Sequence, residues 1–228
     1  MEKKQVTNEQ PEKKSALRVV IHSFFVVPLI IAIFAVLIFL VVRIITSEPN
    51  TAQDYLEDVK IGGSTKRWQG AFELSKILSN PKMVPKNDRF ILEMISAFDY
   101  AANDRDSRVR QYLALAMGAT KDSRYVPPLL ASLDNPETEM IMASIHALGN
   151  IGDNGAVQPI INMLDHGEAK VRLQAVISLG KIGDKSSVSF LKEMMADSEV
   201  NVRWDAAVAL AKLENASAQR ILLDLLDR

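Results

Sequence analysis

The sequence predicts an all-α chain: a single N-terminal transmembrane helix followed by an α-solenoid of about five helix pairs. Three observations carry that expectation. Residues 24–42 form an apolar run of nineteen residues without a charge. The C-terminal half matches itself at an offset of 31 residues with no insertion. Leu, Ala, Ile and Val dominate a chain that is 48% hydrophobic and only 6% aromatic, a balance that favours helices.

Taken from the N-terminus, residues 1–18 are a polar tail rich in Lys, Glu, Gln and Asn, expected to be disordered and cytoplasmic. Residues 19–46 are expected to form the transmembrane helix. At 1.5 Å per residue the apolar run covers roughly 28 Å, about the hydrocarbon thickness of a bilayer. Pro28 lies in the first turns, where missing backbone hydrogen bonds are tolerated. A cleaved signal peptide would have a shorter apolar stretch followed by small residues, whereas Arg43, Ile44, Ile45 and Thr46 follow here, so the anchor is expected to be retained. Lys3, Lys4, Lys13, Lys14 and Arg18 precede the span, and Arg43 is the single basic residue in the next fifteen positions. That asymmetry keeps the N-terminus cytoplasmic and places the rest outside, on the periplasmic side in a bacterium. Residues 47–63, with Pro49, Asn50, Gly62 and Gly63 around a short helix at 52–59, read as a stalk.

Residues 64–228 are the solenoid. Val109, Met140, Val171 and Val202 fall in register, as do Met117, Leu148, Leu179 and Leu210, and Leu133, Leu164, Met195 and Leu226. The units are 104–134, 135–165, 166–196 and 197–227. Each holds two apolar patterns of helical spacing, such as Val171, Ala175, Val176, Leu179 and Ile182, then Val188, Leu191 and Met195. Such a unit buries its apolar face only by stacking on its neighbours. Asp104, Asn135, His166 and Asp197 precede the first helices and Asp122, Asp153, Asp184 and Asn215 the second, and all but the histidine are expected N-caps. Gly149, Gly152, Gly180 and Gly183 are expected at helix ends. A degenerate unit at 64–103 aligns Arg67, Ala71, Leu74 and Ile77 with Arg110, Ala114, Met117 and Thr120, with twelve extra residues around Pro81 and Pro85 and a second helix at 88–102.

The strings VRLQAVISLGKIGD from Val171, VRWDAAVALAKL from Val202 and MIMASIHALGNIGD from Met140 resemble HEAT repeats, in the short form of phycobilisome lyases. The resemblance implies right-handed stacking of helix pairs, with the Val-Arg helix lining the concave face. It also implies that Arg110, Arg172 and Arg203 bond acidic or carbonyl groups in the turns between repeats. Ile141 interrupts that ladder in the second unit.

Composition and motifs exclude much chemistry. With 27 Lys plus Arg against 28 Asp plus Glu there is no basic excess for nucleic acid. Without cysteine there is no disulfide, thiolate metal site, Fe–S cluster or cysteine nucleophile. None of His22, His146 and His166 is followed by Glu, so the paired His-Glu steps of di-iron HEAT hydroxylases are missing. There is no phosphate loop, dinucleotide fingerprint, nucleophile elbow or zinc-protease helix. No catalytic residue, metal, cofactor or small-molecule substrate is expected.

A binding surface is expected instead. In ordinary members of this repeat class the positions one, five and nine residues after the Arg are commonly charged. Here the first two rows read Trp68 and Phe72, Gln111 and Leu115, Met142 and His146, Leu173 and Ile177, Trp204 and Val208. The third reads Lys76, Ala119, Asn150, Lys181 and Lys212. A spacing of four puts each set on one helix face, and stacking joins the sets into an apolar band with polar edges, the composition of a partner site. The partner-binding residues expected are Trp68, Phe72, Leu115, Met142, His146, Leu173, Ile177, Trp204 and Val208. The competing expectation is that strong curvature seals them between units. The function expected is a membrane-anchored scaffold docking another membrane or envelope protein. The alternatives are an accessory subunit of a bilin-lyase-like enzyme, or a structural subunit of a larger membrane complex.

Overall fold

A computed structural model describes residue 20, residues 22–46 and residues 50–213. The chain divides into two compact units, the first ending at residue 49 and the second starting at residue 50.

In the first unit, α1 (Val27–Thr46) follows a π-helical turn at His22–Val26. Pro28 explains that turn: its ring would strike the carbonyl four residues back in regular α-geometry, and the wider i→i+5 turn makes room for it. The apolar side chains of α1 up to Val42 are exposed. By length and composition the segment Ser23–Arg43 can cross a membrane, a property that a signal sequence near the N-terminus shares.

The second unit is a succession of helices: α2 (Ala52–Ile61), α3 (Ser64–Ile77), α4 (Asp88–Tyr100), α5 (Arg108–Thr120), α6 (Val126–Ala131), α7 (Thr138–Ile151), α8 (Val157–Asn162), α9 (Ala169–Ile182), α10 (Val188–Met194) and α11 (Val200–Lys212). The described residues include no strand. The long helices α3, α5, α7, α9 and α11 pack each on the next and form one layer. The helices α4, α6, α8 and α10 each pack against the long helix that follows. One apolar core runs through the unit from Ala52 to Leu213, built from the period-31 positions Val109, Met140, Val171 and Val202 and Met117, Leu148, Leu179 and Leu210. This nearest-neighbour burial is what a solenoid needs.

The structure differs from the sequence expectation in three places. Residues 52–61 are not a free stalk. Thr51 and Asp54 close a capping box, with the Thr51 N–H donating to Asp54 Oδ2 at 2.8 Å, and Ala52, Leu56 and Val59 of α2 are buried in the core. The helix packs on α3 and α4 and covers the end of the stack that no repeat covers.

The polar residues ahead of the long helices are not N-caps. Asp104, Asn135, His166 and Asp197 each accept from the N–H two residues on, at 3.1, 2.9, 3.0 and 2.8 Å, which bends the chain before the helix begins. The N-caps themselves are Ser107, Glu137, Glu168 and Glu199, without side-chain capping bonds. Asp122, Asp153 and Asp184 do cap, but they cap one-turn 3₁₀ segments that lead into α6, α8 and α10. Asn215 lies outside the described residues.

Gly152 and Gly183 end α7 and α9 in left-handed geometry, with φ of 76° and 80°. Gly149 and Gly180 lie inside those helices instead. A Cβ on Gly149 would come within 2.6 Å of the Ser178 side chain, and one on Gly180 within 2.8 Å of Ala209 Cβ. With Gly118, whose Cβ would meet Ala147 Cα at 2.5 Å, they let successive long helices touch backbone to side chain. Ser178 uses that proximity, donating to the Ile145 carbonyl at 3.0 Å.

Candidate functional site

The candidate site is the face of the long-helix layer that carries the positions one and five residues after the repeat arginine. Nothing among the nine expected residues is fully buried. Trp68, Leu115, Met142, His146, Leu173 and Ile177 are half-buried, while Phe72, Trp204 and Val208 are 36%, 42% and 36% exposed. Curvature therefore does not seal them between units. Trp68, Leu115, Met142 and Leu173 pack one flank on the core and keep the other open, as expected of side chains on the rim of a helix face rather than its centre.

The structure brings these residues together in groups. Trp68 and Phe72 line a hollow of about 450 Å³ with Tyr55, Asp58, Lys66 and Glu73. The Phe72 ring meets Tyr112 of the next helix edge to face at 5.2 Å. Cations of the chain itself lie over both rings, Arg108 over Trp68 at 4.4 Å and Lys76 over Phe72 at 5.2 Å. Leu115, Met142 and His146 line a second hollow of about 370 Å³ with Gln111, Tyr112 and Gln174. Leu173, Ile177, Trp204 and Val208 belong to neither hollow. They follow on α9 and α11 at the same repeat positions.

Two rows missed by the sequence reading border the face. Glu139 and Lys170, each two residues before the repeat Arg position, form an ion pair at 2.7 Å between α7 and α9. Tyr112 and Gln174 occupy the position two residues after it and line the same hollow. The signal lies in the helix period: one helix face takes in the positions at −2, +1, +2 and +5, and only those at +1 and +5 stand out as apolar in sequence. At the far edge Lys181 Nζ donates to Asn150 Oδ1 at 3.0 Å, again bridging helices one repeat apart. Burial, with the neighbouring Lys181 charge, pushes the His146 imidazole below its usual range.

The arginine row does structural work at the turns. Arg172 holds Asp197 bidentately along one guanidinium edge, Nε at 2.8 Å and Nη2 at 2.9 Å, and its Nη1 donates to the His166 and Gly167 carbonyls at 2.9 and 3.1 Å. Arg203 donates to the Asp197 and Ser198 carbonyls at 2.8 and 3.0 Å. Arg67 donates to the Val59 carbonyl and meets Asp104 at 2.8 Å, out of line for a hydrogen bond. Arg110 instead stacks over Phe98 at 4.6 Å, with a buried Nε that has no hydrogen-bond partner. Ile141 is buried in the apolar core. No group of three His, Asp or Glu side chains converges as metal ligands would among the described residues.

Comparison with known proteins agrees with this geometry. No curated protein matches the chain in sequence. Among solved structures, the complex of CpcE and CpcF of phycocyanin lyase from Nostoc sp. PCC7120 is similar with a TM-score of 0.65 and 20% identity, covering 80% of this chain and 73% of that one. An engineered protein matches with a TM-score of 0.55 and 20% identity, covering 77% and 85%. A designed armadillo repeat protein in complex with peptide (KR)4 matches with a TM-score of 0.52 and 19% identity, covering 78% and 92%. At these identities the likeness is one of fold. The HEAT-repeat model matches residues 96–170 and 157–228, together more than half of the chain. With its period, its helix-pair stack and its arginine-bound turns, the chain belongs to the HEAT-repeat family.

Proposed function

We propose that this chain is a membrane-anchored, non-enzymatic HEAT-repeat scaffold that holds a segment of a partner protein on the open face of its long helices. The observation that carries the reading is the incomplete burial of that face. Five packed helices bury Leu74, Val109, Leu113, Met117, Met140, Leu148, Val171, Leu179, Val202 and Leu210 almost fully, yet leave Phe72, Trp204 and Val208 open on one shared face and six further apolar or His side chains of that face half covered. Trp and Met are side chains that interfaces favour, and a band one repeat wide per helix suits an elongated occupant. Two similar structures support the idea of a partner: CpcE is in complex with CpcF, and the designed armadillo repeat protein is in complex with a peptide.

The apolar segment Ser23–Arg43 serves as the anchor, with the basic tail in the cytoplasm and the repeats outside it. Tethering beside a membrane partner raises effective concentration, so a modest groove is sufficient. The test is a double variant, Leu173→Asp with Trp204→Asp, cross-linked in native membranes and compared with the unaltered chain. A folded double variant should lose the cross-linked partner. Retention of the same partner contradicts the reading. Protease added to intact spheroplasts should cut the repeats, and full protection overturns the topology.

A further inference from the structure

Lysines of the repeat unit pair with carboxylates at several places. Lys60 meets Glu93 at 3.3 Å, Lys66 meets Asp58 at 2.6 Å, Lys76 meets Glu73 at 2.9 Å and Lys170 meets Glu139 at 2.7 Å. Lys82, Lys86, Lys121, Lys185 and Lys192 form no ion pair among the described residues, and neither do Lys181 and Lys212, but these last two alone lie within the long helices. They occupy the same repeat position on α9 and α11, nine residues after Arg172 and Arg203. The Lys181 ammonium donates to the neutral amide oxygen of Asn150, and no carboxylate among the described residues forms an ion pair with either lysine.

The local field is positive. Burial and the Lys212 charge together pull the Lys181 ammonium below its usual range, and Lys181 in turn disfavours protonation of His146. An anion close to the two ammonium groups would offset the repulsion that Lys212 exerts on Lys181, and no carboxylate among the described residues pairs with either. One helical turn below these lysines stand Ile177 and Val208, with Trp204 a further turn away. A small free anion would satisfy the ammonium groups and leave Trp204 and Val208 as exposed as before.

We propose that the α9–α11 end of the open face receives a partner segment that is apolar and acidic, whose Asp or Glu carboxylates pair with Lys181 and Lys212 while its apolar side chains cover Ile177, Trp204 and Val208. This rests on the docking role given above and adds the chemistry of the occupant. Adjacent helix axes lie about 8–10 Å apart. An extended chain advances about 3.3 Å per residue, so the two carboxylates fall about two to four residues apart.

The probe is a library of random dodecapeptides displayed on phage and selected against the full chain in detergent micelles. The peptides recovered should combine Asp or Glu at that spacing with large apolar residues. The double variant Lys181→Glu with Lys212→Glu, which changes only exposed side chains, should weaken the best peptide by roughly tenfold or more, read by fluorescence anisotropy. It should also recover basic peptides on reselection. Recovered peptides without an acidic excess overturn the proposal, as does an acidic preference that survives the charge reversal. Displacement of the peptide by inorganic phosphate alone would reduce the pair to a generic anion site and equally overturn it. If Leu173→Asp with Trp204→Asp abolishes peptide binding while the charge reversal leaves it intact, the docking face stands and only the acidic occupant fails. If neither double variant affects the peptide, the docking face fails as well.

Discussion

At the scale of single residues, an arginine contacts the turn that opens the next unit at two of the joints between units, Arg67 with Asp104 and Arg172 with Asp197. Arg172 and Asp197 are 25 positions apart, with side chains only 13% and 5% exposed. The same offset in sequence separates Arg110 from Asn135 and Ile141 from His166, but Arg110 stacks over Phe98 instead, while in the lengthened first unit Arg67 meets Asp104. Where the arginine is replaced by Ile141, the turn residue is also no longer acidic. The bent backbone survives because His166 Nδ1 accepts the turn N–H in place of a carboxylate. The sequence resemblance showed the arginine row and its interruption; it did not show that His166 takes over the turn bond.

Two outcomes follow at this scale. Hydrogen bonds from Arg172 hold the Asp197 carboxyl below the usual carboxylate range. Its contribution to stability is therefore complete above the unfolded value near 3.9 and is lost as pH falls below that value toward the folded one. Arg172→Ala should cost about 2 kcal/mol in urea unfolding at pH 7, and the gap to the unaltered chain should narrow below pH 4. A gap that stays constant with pH contradicts the assignment. Ile141→Arg alone should destabilise by placing a cation in the core, and adding His166→Asp should recover about 1 kcal/mol of coupling in a double-mutant cycle.

At the scale of elements, the long helices were readable because their apolar positions recur with both helical and 31-residue spacing, two signals that agree. The polar residues between them were placed correctly but given the wrong duty. Asp and Asn serve N-caps and short side-chain-bonded turns through the same acceptor chemistry, and only the backbone shows which. The α2 segment reads in sequence as a short helix within a stalk, since its three buried positions are too few to distinguish a docked helix from a free one. The glycines carry a sharper lesson. Gly149 and Gly180 look like the end glycines that follow them, yet their role is to admit the neighbouring helix.

Substitution separates the two roles. Gly118→Ala and Gly149→Ala should each destabilise by about 1–3 kcal/mol through overpacking, although alanine is the better helix former. Gly152→Ala, which meets nothing within 4 Å but sits at φ 76°, should cost roughly 1 kcal/mol from backbone strain alone. Gly63→Ala, with open space and an extended N-cap conformation, should change the denaturation midpoint little. A larger loss at Gly152 than at Gly118 would reverse the packing explanation.

At the scale of the whole chain, the repeat period fixed the architecture, because four copies in one register leave little choice but a stack. The nine-residue face was legible as a deviation: apolar side chains where this repeat class usually places charges. Its width was not, because the bordering Tyr112, Gln174, Glu139 and Lys170 follow no apolar pattern of their own and are drawn in only when the helices pack. The two hollows likewise depend on the depth between helices, which one-dimensional spacing does not encode. The most direct measurement places a photo-cross-linking amino acid at Leu173 or Trp204 on the open face, or at Phe190 on α10 in the other layer, and illuminates native membranes. Adducts to one partner protein should form from positions 173 and 204 and not from 190. Adducts that form from 190 alone, or none from the open face, would contradict the docking role.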